Sequence, residues 1–180
     1  MRLDKYTLST YTPGAPYWKQ ILWYFIGLPL LGSYYLPLSS IKVFILRSFG
    51  AKIGKGVRIK PGVRVKFPWR LSVGNYVWIG ENAWIDNLAD VTIESHTCLS
   101  QNVYLCTGNH DWNDANFKLL TAPIYIQESS WIAANSVIGP GVIIGKGAVL
   151  TLAGVTARSL EPMTIYAGNP AQPVKKRKLS

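Results

Sequence analysis

Among the side chains that could do acid–base, nucleophilic or metal chemistry, the chain of 180 residues holds only two histidines and two cysteines beside nine Asp or Glu carboxylates. One of them, His110, stands in "LCTGNHDWND" (residues 105–114), between Asn109 and Asp111. Imidazole is the side chain best suited to take a proton from a weakly acidic hydroxyl near neutral pH. A histidine alone in a polar loop is ordinarily a solvated surface residue, so its weight depends on where the fold puts it. Cys98 and Cys106 form neither a CxxC pair nor a disulfide framework, a usage that fits a reducing compartment such as the cytoplasm. Cys106 directly follows an inward aliphatic of the repeat described next and reads as a structural thiol.

The elements around His110 are dictated by a period of six. In "IQESSWIAANSVIGPGVIIGKGAVL" the aliphatics Ile126, Ile132, Ile138, Ile144 and Leu150 recur six apart without a miss. Upstream, Ile53, Ile59 and Val65 form one run, Val73, Ile79 and Ile85 a second, and Ile93, Leu99 and Leu105 a third. Four residues after most of these comes something small or β-branched, such as Val57, Ala83, Thr97, Ser130, Ser136 and Ala148. Six is a multiple of the strand period of two and not of the helical 3.6, so the same face returns with each repeat. Between runs the step is eight, at 65 to 73 and at 85 to 93, so three hexapeptides make one turn. Short strand, corner, short strand gives a three-sided coil whose stacked turns pair in parallel around one apolar column. The sequence thus predicts a mainly β parallel β-helix. The beat stops only between Leu105 and Ile126, at the corner where the two earlier coils already carry their extra residues. An excursion there leaves the prism intact, and loops held on rigid scaffolds commonly carry function.

The rest of the chain frames this domain. Residues 1–50 read as an apolar N-terminal helical cap, 51–160 as the β-helix with a loop over 107–125, and 161–180 as a terminal turn and basic tail. The run "WKQILWYFIGLPLLGSYYLPL" has about the length of a membrane span, roughly 20 residues. Lys19 and Gln20 at its start, and Gly27, Pro29, Gly32 and Pro37 within it, argue against spanning. Two helices are expected instead, over 16–28 and 39–49. Covering one end of the domain is their plain role, and lying on a membrane surface is the alternative. No secretory signal pattern is read at the N-terminus. The net charge is +10, with nine Lys or Arg and no acid between Lys42 and Arg70. Such a balance favours anionic partners or serves solubility. No aromatic single-strand platform or recognition-helix motif accompanies it, so nucleic acid is not expected.

The stretch from Ile53 to Val174 resembles the hexapeptide-repeat acyltransferases. "TGNHD" is similar to the T-G-x-H motif of galactoside and related sugar acetyltransferases. "GENAWIDNLADVTI", "TGNHD" and "EPMTIYAGNPA" resemble acetyltransferases of the colanic-acid biosynthesis type almost as units. The resemblance implies a left-handed coil, acetyl-CoA as co-substrate, no metal, and His110 as general base toward a sugar hydroxyl. It implies a backbone oxyanion donor at Ala134 in "WIAAN", where Ala133 replaces the commoner Gly. It carries an acceptor-binding role onto Asn87, with Asp86 as runner-up and Asp111 beside the base. Asn87 and Asp86 would otherwise satisfy a corner's backbone, and Trp112 would either stack on a sugar or pin the loop. Trp131, Ala133, Leu152 and Gly154 match the pantetheine groove. Arg158 and Lys175 match the basic residues for the adenosine phosphate, a task for which such side chains are suited. "LTLAGVTAR" departs from the family's V-G-A-G-S-V-V-T-K at Thr151 and Leu152. The family groove implies a homotrimer with shared sites, and the colanic-acid-type resemblance implies a sugar or lipid-linked saccharide as acceptor. The basic Lys42–Arg70 stretch and the apolar N-terminus suit a lipid-linked acceptor, with peripheral contact at the inner face of the membrane. Other acyl donors stay open, as does a non-catalytic β-helix scaffold. A γ-class carbonic anhydrase shares the fold but needs three histidines per zinc, and only His96 and His110 are present.

Overall fold

The computed structural model describes residues 2–7 and 11–178. Three parallel sheets form the faces of a prism, here called sides A, B and C. Side A stacks Lys52–Ile53, Leu71–Val73, Val91–Ile93, Ile124–Ile126 and Ile143–Ile144. Side B stacks Arg58–Ile59, Trp78–Ile79, Cys98–Leu99, Trp131–Ile132, Val149–Leu150 and Thr164–Ala167. Side C stacks Arg64–Val65, Trp84–Asp86, Tyr104–Cys106, Val137–Ile138 and Val155–Thr156. The register follows the six-residue beat, with Ile53 beside Val73, Ile59 beside Ile79, and Val65 beside Ile85. These inward residues are buried on all three sides, while their predecessors Arg58, Trp78, Trp131 and Ile143 face outward.

The corners have their own rule. Three residues after an inward aliphatic the backbone turns left-handed, at Gly56, Tyr76, His96, Ser129 and Gly147 on the A-to-B corner. Gly62, Asn82, Asn102, Asn135 and Ala153 do the same on the B-to-C corner. Gly and Asn suit that conformation best. The glycine that directly follows an aliphatic has a different duty. A Cβ on Gly74 would lie 2.6 Å from the Ser95 nitrogen of the next coil.

The first helix is longer than the sequence predicts. It runs as Tyr17–Leu22, a π-helical turn Trp23–Gly27, and Leu28–Gly32, passing through Pro29. Proline breaks an α-helix by removing a donor and crowding a carbonyl one turn back. The wider turn just before it takes up that mismatch. The second helix is Ser39–Ser48, close to expectation. Its buried Lys42 reaches back to the carbonyls of Leu31 and Ser33 and so closes the first helix's C-terminal end. Burial lowers the pKa of that ammonium.

The helices satisfy the free edge of the first coil. Arg47 donates to the Ile53 and Gly54 carbonyls on side A. Ser39 Oγ pairs with both backbone groups of Ile59 on side B, and Trp23 Nε1 donates to Val65 O on side C at 3.0 Å. At the other end Gln172–Lys176 returns antiparallel on Thr164–Ala167 after the turn at residues 168–171. Arg177 fastens the tail to the carbonyls of Ser129 and Gly147.

The alternation sets a prediction. Ile79→Ala should lower stability by about 2–5 kcal/mol, as buried large-to-small changes do, whereas outward Trp78→Ala should cost well under that. Denaturant midpoints for the two variants measure the contrast, and equal losses would contradict the register.

Candidate active site

The break in the repeat is a β-hairpin. Gly108–His110 pairs antiparallel with Leu119–Thr121, and His110 lies opposite Leu119. Thr107 anchors its foot. This fully buried hydroxyl donates to Asp86 O at 2.9 Å and accepts from Ala89 N at 3.0 Å. Gly108 packs closely on Leu88, whose side-chain end a Cβ there would meet at 2.6 Å and push aside. The tip is tied by two Asx turns. Asp111 accepts from the Asn113 amide and Asp114 from the Asn116 amide.

This hairpin orients the His110 ring. Nδ1 lies 2.7 Å from the Phe117 carbonyl oxygen. A carbonyl can only accept, so Nδ1 carries the hydrogen and Nε2 keeps the free lone pair. The Phe117 ring stacks on the imidazole at 4.0 Å and 5°, and Tyr6 meets it edge-on at 5.8 Å. Phe117 holds its carbonyl there from a left-handed backbone, with φ 55°. Sequence reasoning missed both aromatics: neither lies in the repeat, and no spacing rule links a hairpin's return strand or residue 6 to His110.

The neighbouring Asp86 and Asn87 separate in role. Asn87 is fully buried, and both ends of its amide are taken by Phe67, whose N–H it accepts at 2.9 Å and whose carbonyl it donates to at 2.7 Å. Asn87 thus braces two neighbouring coils, the corner role that stands beside acceptor binding in the sequence. Asp86 Oδ2 accepts from the Tyr104 hydroxyl at 3.2 Å. Its Oδ1 is buried and, among the described residues, lacks a hydrogen-bond partner, although Lys66 Nζ stands 3.0 Å away as an ion pair. Burial, then the adjacent Cys106 and the Asp86 carboxylate, push the Tyr104 hydroxyl pKa up. Asp86 also lines a groove of about 520 Å³ between the first helix and side C, walled by Tyr17, Ile21, Phe25, Arg64 and Trp84. Asp111 is occupied by the hairpin tip, and Trp112 is exposed there.

The remaining residues fall elsewhere. Ala133 and Ala134 turn the B-to-C corner, and Leu152 and Gly154 turn the same corner one coil on. No hydrogen bond engages the Ala134 N–H among the described residues. Trp131 points outward on side B with its indole N–H on Ser100 Oγ, and Lys175 lies exposed on the same side. Gly154 is fixed by packing, since a Cβ would sit 2.5 Å from Leu150. Arg158 is exposed past the C strand of the last coil, on the C-to-A corner that also carries His110. The chain thus gathers His110, Asp86, Asn87, Asp111 and Trp112 at one edge of side C. It gathers Trp131, Ala133, Ala134, Leu152, Gly154 and Lys175 at and beyond the other edge. His96 stands apart on the A-to-B corner, stacked on Tyr76.

No protein-family profile matches the chain. Its fold is shared by a hexapeptide-repeat acetyltransferase of Vibrio cholerae O1 biovar eltor, crystallised with acetyl-CoA, at a TM-score of 0.83 and 21% identity over 99% of both chains. Galactoside acetyltransferase in complex with coenzyme A superposes at 0.82 and 20% identity, over 98% of this chain and 90% of that one. These likenesses establish the left-handed parallel β-helix. In sequence, the chain is 38% identical over 136 residues to WcaF of Escherichia coli K12, named as a colanic acid biosynthesis acetyltransferase, covering 76% of this chain and 75% of WcaF. The chain belongs to the hexapeptide-repeat acetyltransferase family, alongside WcaF.

The brace assigned to Asn87 is testable. Asn87→Ala would remove both hydrogen bonds to the half-buried backbone of Phe67, at about 0.5–1.5 kcal/mol for each. Chemical denaturation should show a loss of that order, and unchanged stability would return Asn87 to the acceptor.

Proposed function

We propose that the protein transfers the acetyl group of acetyl-CoA to a sugar hydroxyl in exopolysaccharide synthesis, with His110 as general base. The observation that carries this reading is the Nδ1–H bond to Phe117 O, which leaves Nε2 as a lone-pair acceptor on a rigid hairpin. The donor follows from the family and from the acetyl-CoA and CoA complexes of its structural relatives. The acceptor class follows from the role named for WcaF.

In this mechanism Nε2 takes the hydroxyl proton as the oxygen attacks the thioester carbonyl. The tetrahedral oxyanion accepts a hydrogen bond from the Ala134 N–H. Collapse breaks the C–S bond, and the His110 imidazolium returns its proton to the CoA thiolate. Asp86, which lines the side C groove beside Lys66, orients the acceptor. Leu152, Gly154, Arg158 and Lys175 serve the donor. His110 and Ala134 occupy opposite edges of side C in one chain. A complete site therefore joins the hairpin of one subunit to the B-to-C corner of another, which supports a cyclic homotrimer with three shared sites.

His110→Ala should lower kcat by about 10²–10⁴, the usual worth of a positioned base, while calorimetric affinity for acetyl-CoA stays unchanged. CoA release with an exopolysaccharide sugar as acceptor measures the first, and light scattering measures the trimer. Turnover kept in the variant would remove His110 as base, and no affinity for any acyl-CoA would make the coil a non-catalytic scaffold.

A further inference from the structure

The end of the prism covered by the helices combines two properties that extend well beyond the side C groove assigned to the acceptor. The first is apolar exposure. Beyond the residues already named as walls of that groove, Trp18, Tyr24, Tyr35 and Phe44 are each at least 63% exposed. The faces of these helices that pack on the coil already have their partners, Trp23, Leu31, Ile45 and Leu46, in the core. The outward aromatics therefore contribute nothing to folding the single chain. Isolated exposed apolar residues need no explanation, but a continuous set rimmed by charge marks a docking surface.

The second property is charge. Eleven of the nineteen Lys and Arg, and none of the nine Asp and Glu, lie between residues 5 and 80. That stretch alone carries +11, against +10 for the whole chain. Six of these cations ring the first coil: Lys52 on side A, Lys55 on the corner, Arg58 and Lys60 on side B, Arg64 and Lys66 on side C. All six are exposed, and among the described residues only Lys66 is paired with a carboxylate. Arg58 and Arg64 are held over Trp78 and Trp84 at 4.7 and 4.5 Å, so the collar is partly fixed in place.

We propose that this end docks on an anionic lipid surface, with the helical aromatics among the headgroups and the first-coil collar on the lipid phosphates. Tyr and Trp favour the interface, where a ring meets hydrocarbon and its polar atom meets water. Juxtamembrane cations add about fivefold in affinity each. No described helix is long and apolar enough to cross a membrane, so the contact is peripheral. A second copy of the chain is a poor occupant, because two facing ends would oppose two collars of six cations. In a cyclic assembly all copies of an end point the same way along the axis, so the proposed trimer would present three such ends together. The single-chain argument stands without that gain and does not depend on the acetyltransferase reading.

The test is flotation of the full chain with vesicles of phosphatidylcholine alone and of phosphatidylcholine with phosphatidylglycerol, at low and high salt. Binding to the anionic vesicles only, weakened by salt, is expected. Lys52→Gln with Lys60→Gln should weaken it more than tenfold, and Trp18→Ser with Phe44→Ser should abolish it, with the circular dichroism and acetyl-CoA affinity of the wild type. No flotation, equal flotation with neutral vesicles, or no effect of either double variant would overturn the proposal. So would a change of oligomeric state in Trp18→Ser/Phe44→Ser, which would assign this face to a second copy. Loss of acetyl transfer with flotation intact would count against the enzyme reading alone.

Discussion

Every part of this molecule depends on one constraint: each coil must hand its backbone hydrogen bonds to the next in register. Arg58 N reaches the Val77 carbonyl, Trp78 N that of Thr97, and Cys98 N that of Ser130. A strand residue inserted or lost would turn the apolar column outward on every later side, because neighbouring side chains face opposite ways. Extra chain is therefore admitted only at a corner. Against the six-residue step the fold accepts two extra residues after Val65 and after Ile85 and fifteen between Leu105 and Ile126, all at the same corner. The position of His110 is a consequence of that tolerance.

The same constraint explains the polar residues at the foot of the hairpin. Thr107 and Asn87 are fully buried and spend hydrogen bonds on backbone groups of the preceding coil, Asp86 and Phe67. They replace the ladder bonds that a corner excursion interrupts. The ring above them inherits their rigidity: His110 has its Nδ1 on a carbonyl, its face on Phe117 and its edge on Tyr6. Such preorganisation suits the role proposed for His110, since a small misplacement of a reacting group costs rate steeply.

The coil was legible in the sequence because its signal is strictly periodic. Ile126, Ile132, Ile138, Ile144 and Leu150 announce three sides, and the eight-residue steps announce the turns. The location of His110 at the C-to-A corner was legible for the same reason. The first helix was misjudged at Pro29, where a π-turn overrides local propensity. The sequence cannot choose between the two roles of Asn87, because its partner, Phe67, lies a full coil away and no local pattern reports which end of an amide is already engaged. Phe117 and Tyr6 were invisible, since stacking between separate segments leaves no mark in spacing. Left-handedness rested on resemblance, as single-chain physics favours the opposite crossover.

A parallel coil is open at both ends, and open sheet edges invite further strands. Here Arg47, Ser39 and Trp23 take up the first coil's free groups on sides A, B and C, and Gln172–Lys176 runs backward across the last strand of side B. A solenoid of this kind without stoppers is the repeating unit of a filament. The apolar helices at one end and the reversed strand at the other limit growth of the stack to a single molecule, so the length of this enzyme is set as much by its two terminations as by its repeats.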